Sequence, residues 1–217
     1  MRSPRGSSQE HRSGSLSPPE VVRRFFASRG KHVLSFAGFG ELGYEQAGIV
    51  ERVAEDALSR LPRESVMVQC GTLLRVGGED GIAGVFAVAH RLGIETAGIH
   101  PGVALEFAST HRVSPHEDSV FFVHDDLWGG FVDHDGRPSA TLALILEVSD
   151  ELVAIGGGKH AADELRAFRR AGKPVRYVPA EMNRRAVGEW CARTGVALPD
   201  VRGAAYEAWL ERTDAES

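Results

Sequence analysis

Cysteine is scarce: Cys70 and Cys191 are the two in 217 residues, and they stand far apart in the chain. That excludes a disulfide framework or a CxxC-type metal site and points to a reducing, cytoplasmic setting. Basic charge is also short, with 25 Lys and Arg against 30 Asp and Glu. The net charge of -5 argues against a nucleic-acid partner, which would need a basic face to offset phosphate charge. No apolar run approaches the ~20 residues that span a bilayer. Arg2 and Arg5 are followed by no apolar segment of the kind a secretory signal requires. The expectation is a soluble, cytoplasmic protein with no membrane partner.

Familiar catalytic punctuation is missing too. There is no GxSxG elbow and no HExxH pair. His111, His116, His124 and His134, with Asp118, Asp125, Asp126, Asp133 and Asp135, fall in separate polar stretches. Without ligand spacing they give no reason to expect a metal site.

What is present is an ordinary globular composition, 42% hydrophobic and 25% charged, long enough for one sizeable core. Residues 1–29 read as a disordered tail, rich in Ser, Arg, Gly and Pro up to Pro19, with a short helix near Glu20–Ala27. Residues 30–217 read as one domain. His32–Ala37 (HVLSFA) is a mostly apolar strand running into Gly38-Phe39-Gly40-Glu41-Leu42-Gly43, and helical periodicity follows over Tyr44–Leu61. Further strands are expected at Ser65–Gln69, Ile94–Ile99, Val120–Val123, Glu151–Ile155 and Pro174–Pro179. Helices are expected at Ile82–Leu92, Ser139–Val148, from Gly158 to near Gly172, and at Asn183–Thr194 and Gly203–Arg212. Strands alternating with helices predict an α/β fold: a single doubly wound, mainly parallel, Rossmann-like sheet with helices on both faces.

Glycine clusters follow three of these strands: Gly38, Gly40 and Gly43; Gly77, Gly78 and Gly81; and Gly156, Gly157 and Gly158. A strand, a glycine turn and a helix N-terminus together present free backbone N–H groups and the positive end of the helix dipole, which suits phosphate. The same clusters also serve as tight connections that need positive φ and close packing. In a doubly wound sheet all three turns would lie at the carboxyl ends of strands and could share one crevice. Lys159 and His160 put cationic character at a helix start, which opposes the dipole unless an anion is near. The turn from Asp125 to Gly130 would line the same crevice, where Trp128 could stack on a base or simply pack. One dinucleotide hallmark is lacking. The second strand ends in Gln69 and Cys70 where an acid would hold ribose hydroxyls, which counts against a nicotinamide-dependent oxidoreductase.

Gly81–Gly102 (GIAGVFAVAHRLGIETAGIHPG) resembles the Gly-Leu-Met-Gly helix and following strand of the LOG-like, or SLOG, Rossmannoid proteins, many of them labelled lysine decarboxylases. Ser149–Leu165 (SDELVAIGGGKHAADEL) resembles that family's P-G-G-x-G-T-x-x-E motif. Gly157 and Gly158 fall on its central glycines, Glu164 on its Glu, and Asp150 on an acid usual at the strand start. Gly156 stands for the Pro, His160 for the third Gly and Ala161 for the Thr. Thr141 occupies the place of an Arg found in the hydrolases. The resemblance, spanning about Val33–Pro179, implies a protein that binds a nucleotide-derived ligand as a sensor, with phosphate on the glycine turns and ribose near Glu164. No further cofactor is required, and a homodimer is implied. The alternative it implies is a nucleoside monophosphate phosphoribohydrolase with Glu164 as the catalytic residue.

Overall fold

Adjacent residues on each strand serve opposite faces of the sheet. On β1 (His32–Gly38), Leu34 and Phe36 pack into one hydrophobic layer while Val33 and Ala37 pack into the other. On β7 (Glu151–Ile155), Val153 and Ile155 join the first layer, and Leu152 and Ala154 the second. Strands that are apolar on both sides must be covered on both sides, and in the computed structural model they are. The structure describes residues 15–76, 78 and 80–211.

The six-stranded sheet is parallel throughout. From β1 the chain moves outward through β2 (Val66–Cys70), β4 (Glu95–Pro101) and β6 (Ser119–Val123). It then returns to place β7 on the other side of β1, with β8 (Val175–Val178) beyond, giving the order β6-β4-β2-β1-β7-β8. The reversal falls between β1 and β7, where ligands bind in sheets of this class. One face carries α2 (Ile49–Ser59) and α3 (Gly84–Leu92); the other carries α1 (Pro19–Arg29), α4 (Ala140–Val148), α5 (Lys159–Arg170) and α7 (Ala204–Leu210). Helix α6 (Arg184–Thr194) packs Val187 against Phe39 and Met182. This is the Rossmann-like α/β arrangement expected from the sequence.

Local chemistry sets the helix ends. Ser139 Oγ accepts the N–H of Leu142 to cap α4, and Asn183 Oδ1 accepts that of Ala186 to cap α6. Pro19 starts α1, and Gly30 in the left-handed conformation ends it. Val22 and Phe26 of this helix are buried. Of the expected tail, residues 1–14 lie outside the described residues. Ser17 donates its N–H to the Phe122 carbonyl on β6.

One local expectation is corrected. The helix read from Tyr44 begins only at Ile49. Residues 44–48 instead form a loop, in which Glu45 donates its N–H to the Glu181 carbonyl and Gly48 takes a positive φ before the helix. Beyond the main sheet, the stretches that follow β2 and β4 are joined by a two-stranded antiparallel ribbon. In it β3 (Leu74–Arg75) pairs with β5 (His111–Arg112), so that Arg75 stands opposite His111. Among the described residues, no helix is long and apolar enough to cross a membrane.

Candidate functional site

The carboxyl end of β1 is held to that of β7 by one side chain. Tyr44 Oη accepts the N–H of Phe39 at 3.0 Å and donates to the Ile155 carbonyl at 2.9 Å. Gly38 must be glycine here, because a Cβ would run into that same hydroxyl. Beside this tie a crevice of about 270 Å³ opens, floored by Phe36, Ala37 and Gly38 and walled by the N-terminal turns of α5. A recess of about 70 Å³ continues from it, sharing Gly71, Thr72, Pro101, Trp128, His160 and Glu164 and adding Thr141.

Glu164 is half-buried and makes no hydrogen bond to a described residue. Burial, helped by the charge of neighbouring Asp163, pushes its carboxyl up to about 8. Near neutral pH it is therefore a protonated hydrogen-bond donor. One turn away, burial lowers the pKa of His160; Asp163 opposes this and Lys159 adds to it. Burial also raises the Cys70 thiol at the end of β2 to about 12, which removes it as a nucleophile near neutral pH.

Trp128 forms the rim. Its ring lies 5.2 Å from that of Phe107 and 5.5 Å from that of His111. Trp128 is 40% exposed, so a flat aromatic surface remains open at the mouth. The loop carrying it is fixed at both ends. Asp125 accepts the N–H groups of Thr141 and Leu127 at 2.8 and 3.0 Å, and Asp163 accepts that of Phe131 at 3.0 Å. Burial works to raise the Asp125 carboxyl, but its hydrogen bonds outweigh that and hold it below the usual range. On the opposite wall, His100 bridges the Gly71 carbonyl and the buried Glu117, which positions the Gly71–Thr72 stretch.

The sequence-predicted residues separate into groups. Gly38, Gly40, His160 and Glu164 come together in the crevice. Gly43 and Gly81 line a different groove, against α2 and α3, and Gly78 lines one against α6; Gly77 lies outside the described residues. Gly81 is glycine because its positive φ brings it against the carbonyls of Phe39 and Gly40. Gly156 and Gly157 are buried. A Cβ on Gly157 would strike Ala161, and its carbonyl accepts the N–H of Ala205. Gly158 and exposed Lys159 line none of these cavities. The three glycine clusters thus do not share one crevice.

Trp128, Gly129 and Gly130 do line the site. His111 and Thr72 also line it; nothing in their sequence neighbourhoods marks them, because the ribbon and the end of β2 bring them there. Gln69 is buried and accepts a hydrogen bond from Ser35 Oγ, so it faces the sheet interior. Asp150 accepts the N–H of Val33 at 2.8 Å, at the starting ends of β1 and β7 and away from the crevice. Among the described residues, no group of three or more His, Cys, Asp or Glu is placed to hold a metal ion.

No family model matches the chain, and no curated protein does. Solved structures to which it is similar include three of the molybdenum cofactor (Moco) carrier protein from Chlamydomonas reinhardtii. One is 20% identical, covering 83% of this chain and 96% of the other, with a TM-score of 0.45. The other two are each 17% identical over 83% of this chain and 99% of theirs, with TM-scores of 0.45 and 0.44. The LOG-like, or SLOG, assignment expected from the two motifs is corrected: the matching structures bear the carrier protein's description. Of the motif's glycines, Gly157 is packed beneath the start of α7, Gly156 lies against Phe39 and the Ala180 carbonyl, and a Cβ on Gly158 would meet nothing within 4 Å.

Proposed function

We propose that the crevice at the carboxyl end of β1, between the Gly71–Thr72 stretch and the N-terminal turns of α5, binds a nucleotide-derived small molecule. The observation that carries this reading is the juxtaposition, at the carboxyl end of β1, of an open aromatic rim with Glu164, whose carboxyl makes no hydrogen bond to a described residue. A planar ring would lie against Trp128 and His111. Ribose would meet Glu164, whose protonated carboxyl can both donate to and accept from a hydroxyl. A first phosphate would sit near Gly40 and the N-terminal turn of α5, where backbone N–H groups and the helix dipole favour an anion.

Isothermal titration with AMP, GMP, NAD and ADP-ribose tests the reading. Binding of at least one, weakened about tenfold in Trp128→Ala through loss of ring stacking, is expected. If none of the four binds at millimolar concentration, the reading fails.

A further inference from the structure

Among the described residues, no lysine or arginine lines the crevice or its recess; the ionisable groups there are Glu41, His111, His160 and Glu164. Backbone N–H groups can compensate one phosphate, but a second would lie among carboxyls and neutral walls. The cations are next door. A groove of about 440 Å³ runs between the β3 loop and α6, lined by Arg75, Arg185, Arg193 and the half-buried Trp190. Glu41 lines both groove and crevice, so the two spaces adjoin through one side chain.

The pairing of these arginines is loose. Arg75 reaches Glu41 at 2.8 Å, with both side chains 37% exposed. Arg185 approaches Glu189 at only 3.9 Å on the open helix surface, a pair of little energetic weight. The Arg193 side chain makes no hydrogen bond or ion pair with any described residue. Guanidinium groups in such a setting match the geometry of phosphate oxygens and exchange an exposed carboxylate for them at small cost.

We propose that crevice and groove form one bipartite site, in which the groove receives a second phosphate on Arg75 and Arg193 as Glu41 turns away from Arg75. The ligand class is then a nucleoside diphosphate or a larger diphosphate-containing conjugate. The crevice alone, at about 270 Å³, falls just below the ~300–1,000 Å³ usual for small-molecule sites; the groove supplies the remaining room. This inference rests on the reading of the crevice given above.

The test is titration of the full chain at low salt with AMP, ADP, GMP, GDP and inorganic pyrophosphate. It is repeated on the Arg75→Ala/Arg193→Ala double variant and on Arg193→Glu, with circular dichroism and melting to verify the fold. In the wild type the diphosphate is expected to bind about tenfold more tightly than the monophosphate of the same base. In both variants that increment should vanish, along with pyrophosphate binding. Equal affinity of mono- and diphosphate in the wild type, or an increment that survives in the double variant, overturns the inference and leaves the crevice reading standing. Arginine-dependent pyrophosphate binding without binding of any nucleotide overturns the crevice reading and supports the groove as an anion site. No binding of any probe overturns both.

Discussion

Tyr44 and Ile155 are separated by most of the domain in sequence, yet the Tyr44 hydroxyl donates to the Ile155 carbonyl at 2.9 Å. The bond lies where the strand order reverses, and through the N–H of Phe39 it also fixes the first glycine turn. Burial raises the phenol's pKa, so the bond persists throughout the physiological pH range.

Tyr44→Phe keeps the ring but leaves the Phe39 N–H and the Ile155 carbonyl without this partner. We expect a loss of ~1–3 kcal/mol in stability, read from urea denaturation, together with weaker ligand binding. Unchanged stability would show that other groups or water satisfy both backbone atoms.

Glu164 makes stability depend on pH. Its folded pKa, about 8, lies above the ordinary 4.5, so the folded chain keeps a proton that the unfolded chain has lost between those values. The contribution is full below about pH 4.5 and is lost as pH rises to about 8. Allowing for contact with the solvent-filled crevice, we expect ~2 kcal/mol of decline across this window. Glu164→Gln should remove that part of the decline, and guanidinium unfolding between pH 5 and 9 would measure it. Parallel wild-type and variant profiles would contradict the assignment. Because Asp163 contributes to the shift, Asp163→Asn should lower the Glu164 pKa in a carboxyl NMR titration.

His100 and Glu117 are both fully buried and meet at 2.8 Å. Glu117 also accepts the Ser114 N–H, and the other ring nitrogen of His100 faces the Gly71 carbonyl at 3.2 Å. Glu117→Ala should cost ~3–5 kcal/mol, because it strands a buried polar partner. Glu117→Gln, which can still hydrogen-bond, should cost less. Thermal melts of the pair separate a hydrogen-bonding role from simple space filling; equal losses would contradict it.

Trp128 is expected to matter for binding more than for folding. Its exposed ring makes Trp128→Ala a change of less than ~1 kcal/mol in stability, while affinity for a ring-bearing ligand falls about tenfold. A large drop in melting temperature would instead identify the Trp128, Phe107 and His111 cluster as structural.

Periodicity made the layers legible. The apolar runs at 32–37, 65–69 and 151–155 and the helical spacing between them were enough to predict the doubly wound sheet, because each element's pattern reports which faces it buries. The functional glycines were less legible. A glycine turn has one sequence signature for two uses, close packing and anion binding. Gly157 and Gly81 serve the first use, against Ala161 and the Phe39–Gly40 carbonyls, while Gly38 and Gly40 border the crevice. No local pattern separates them.

The sequence by itself determined the six strands of the parallel sheet and the helices that cover it, since these follow from residue type and short-range spacing, whereas Glu164 drew attention only through the resemblance to the LOG-like motif. Only the tertiary structure decided which turns meet in the crevice beside α5. It also decided that the β3–β5 ribbon carries His111 to the rim, and that the arginines stand in the groove beside the crevice rather than in it. Those outcomes depend on contacts between residues far apart in the chain, whose geometry is fixed by packing over the whole sheet rather than by any local pattern.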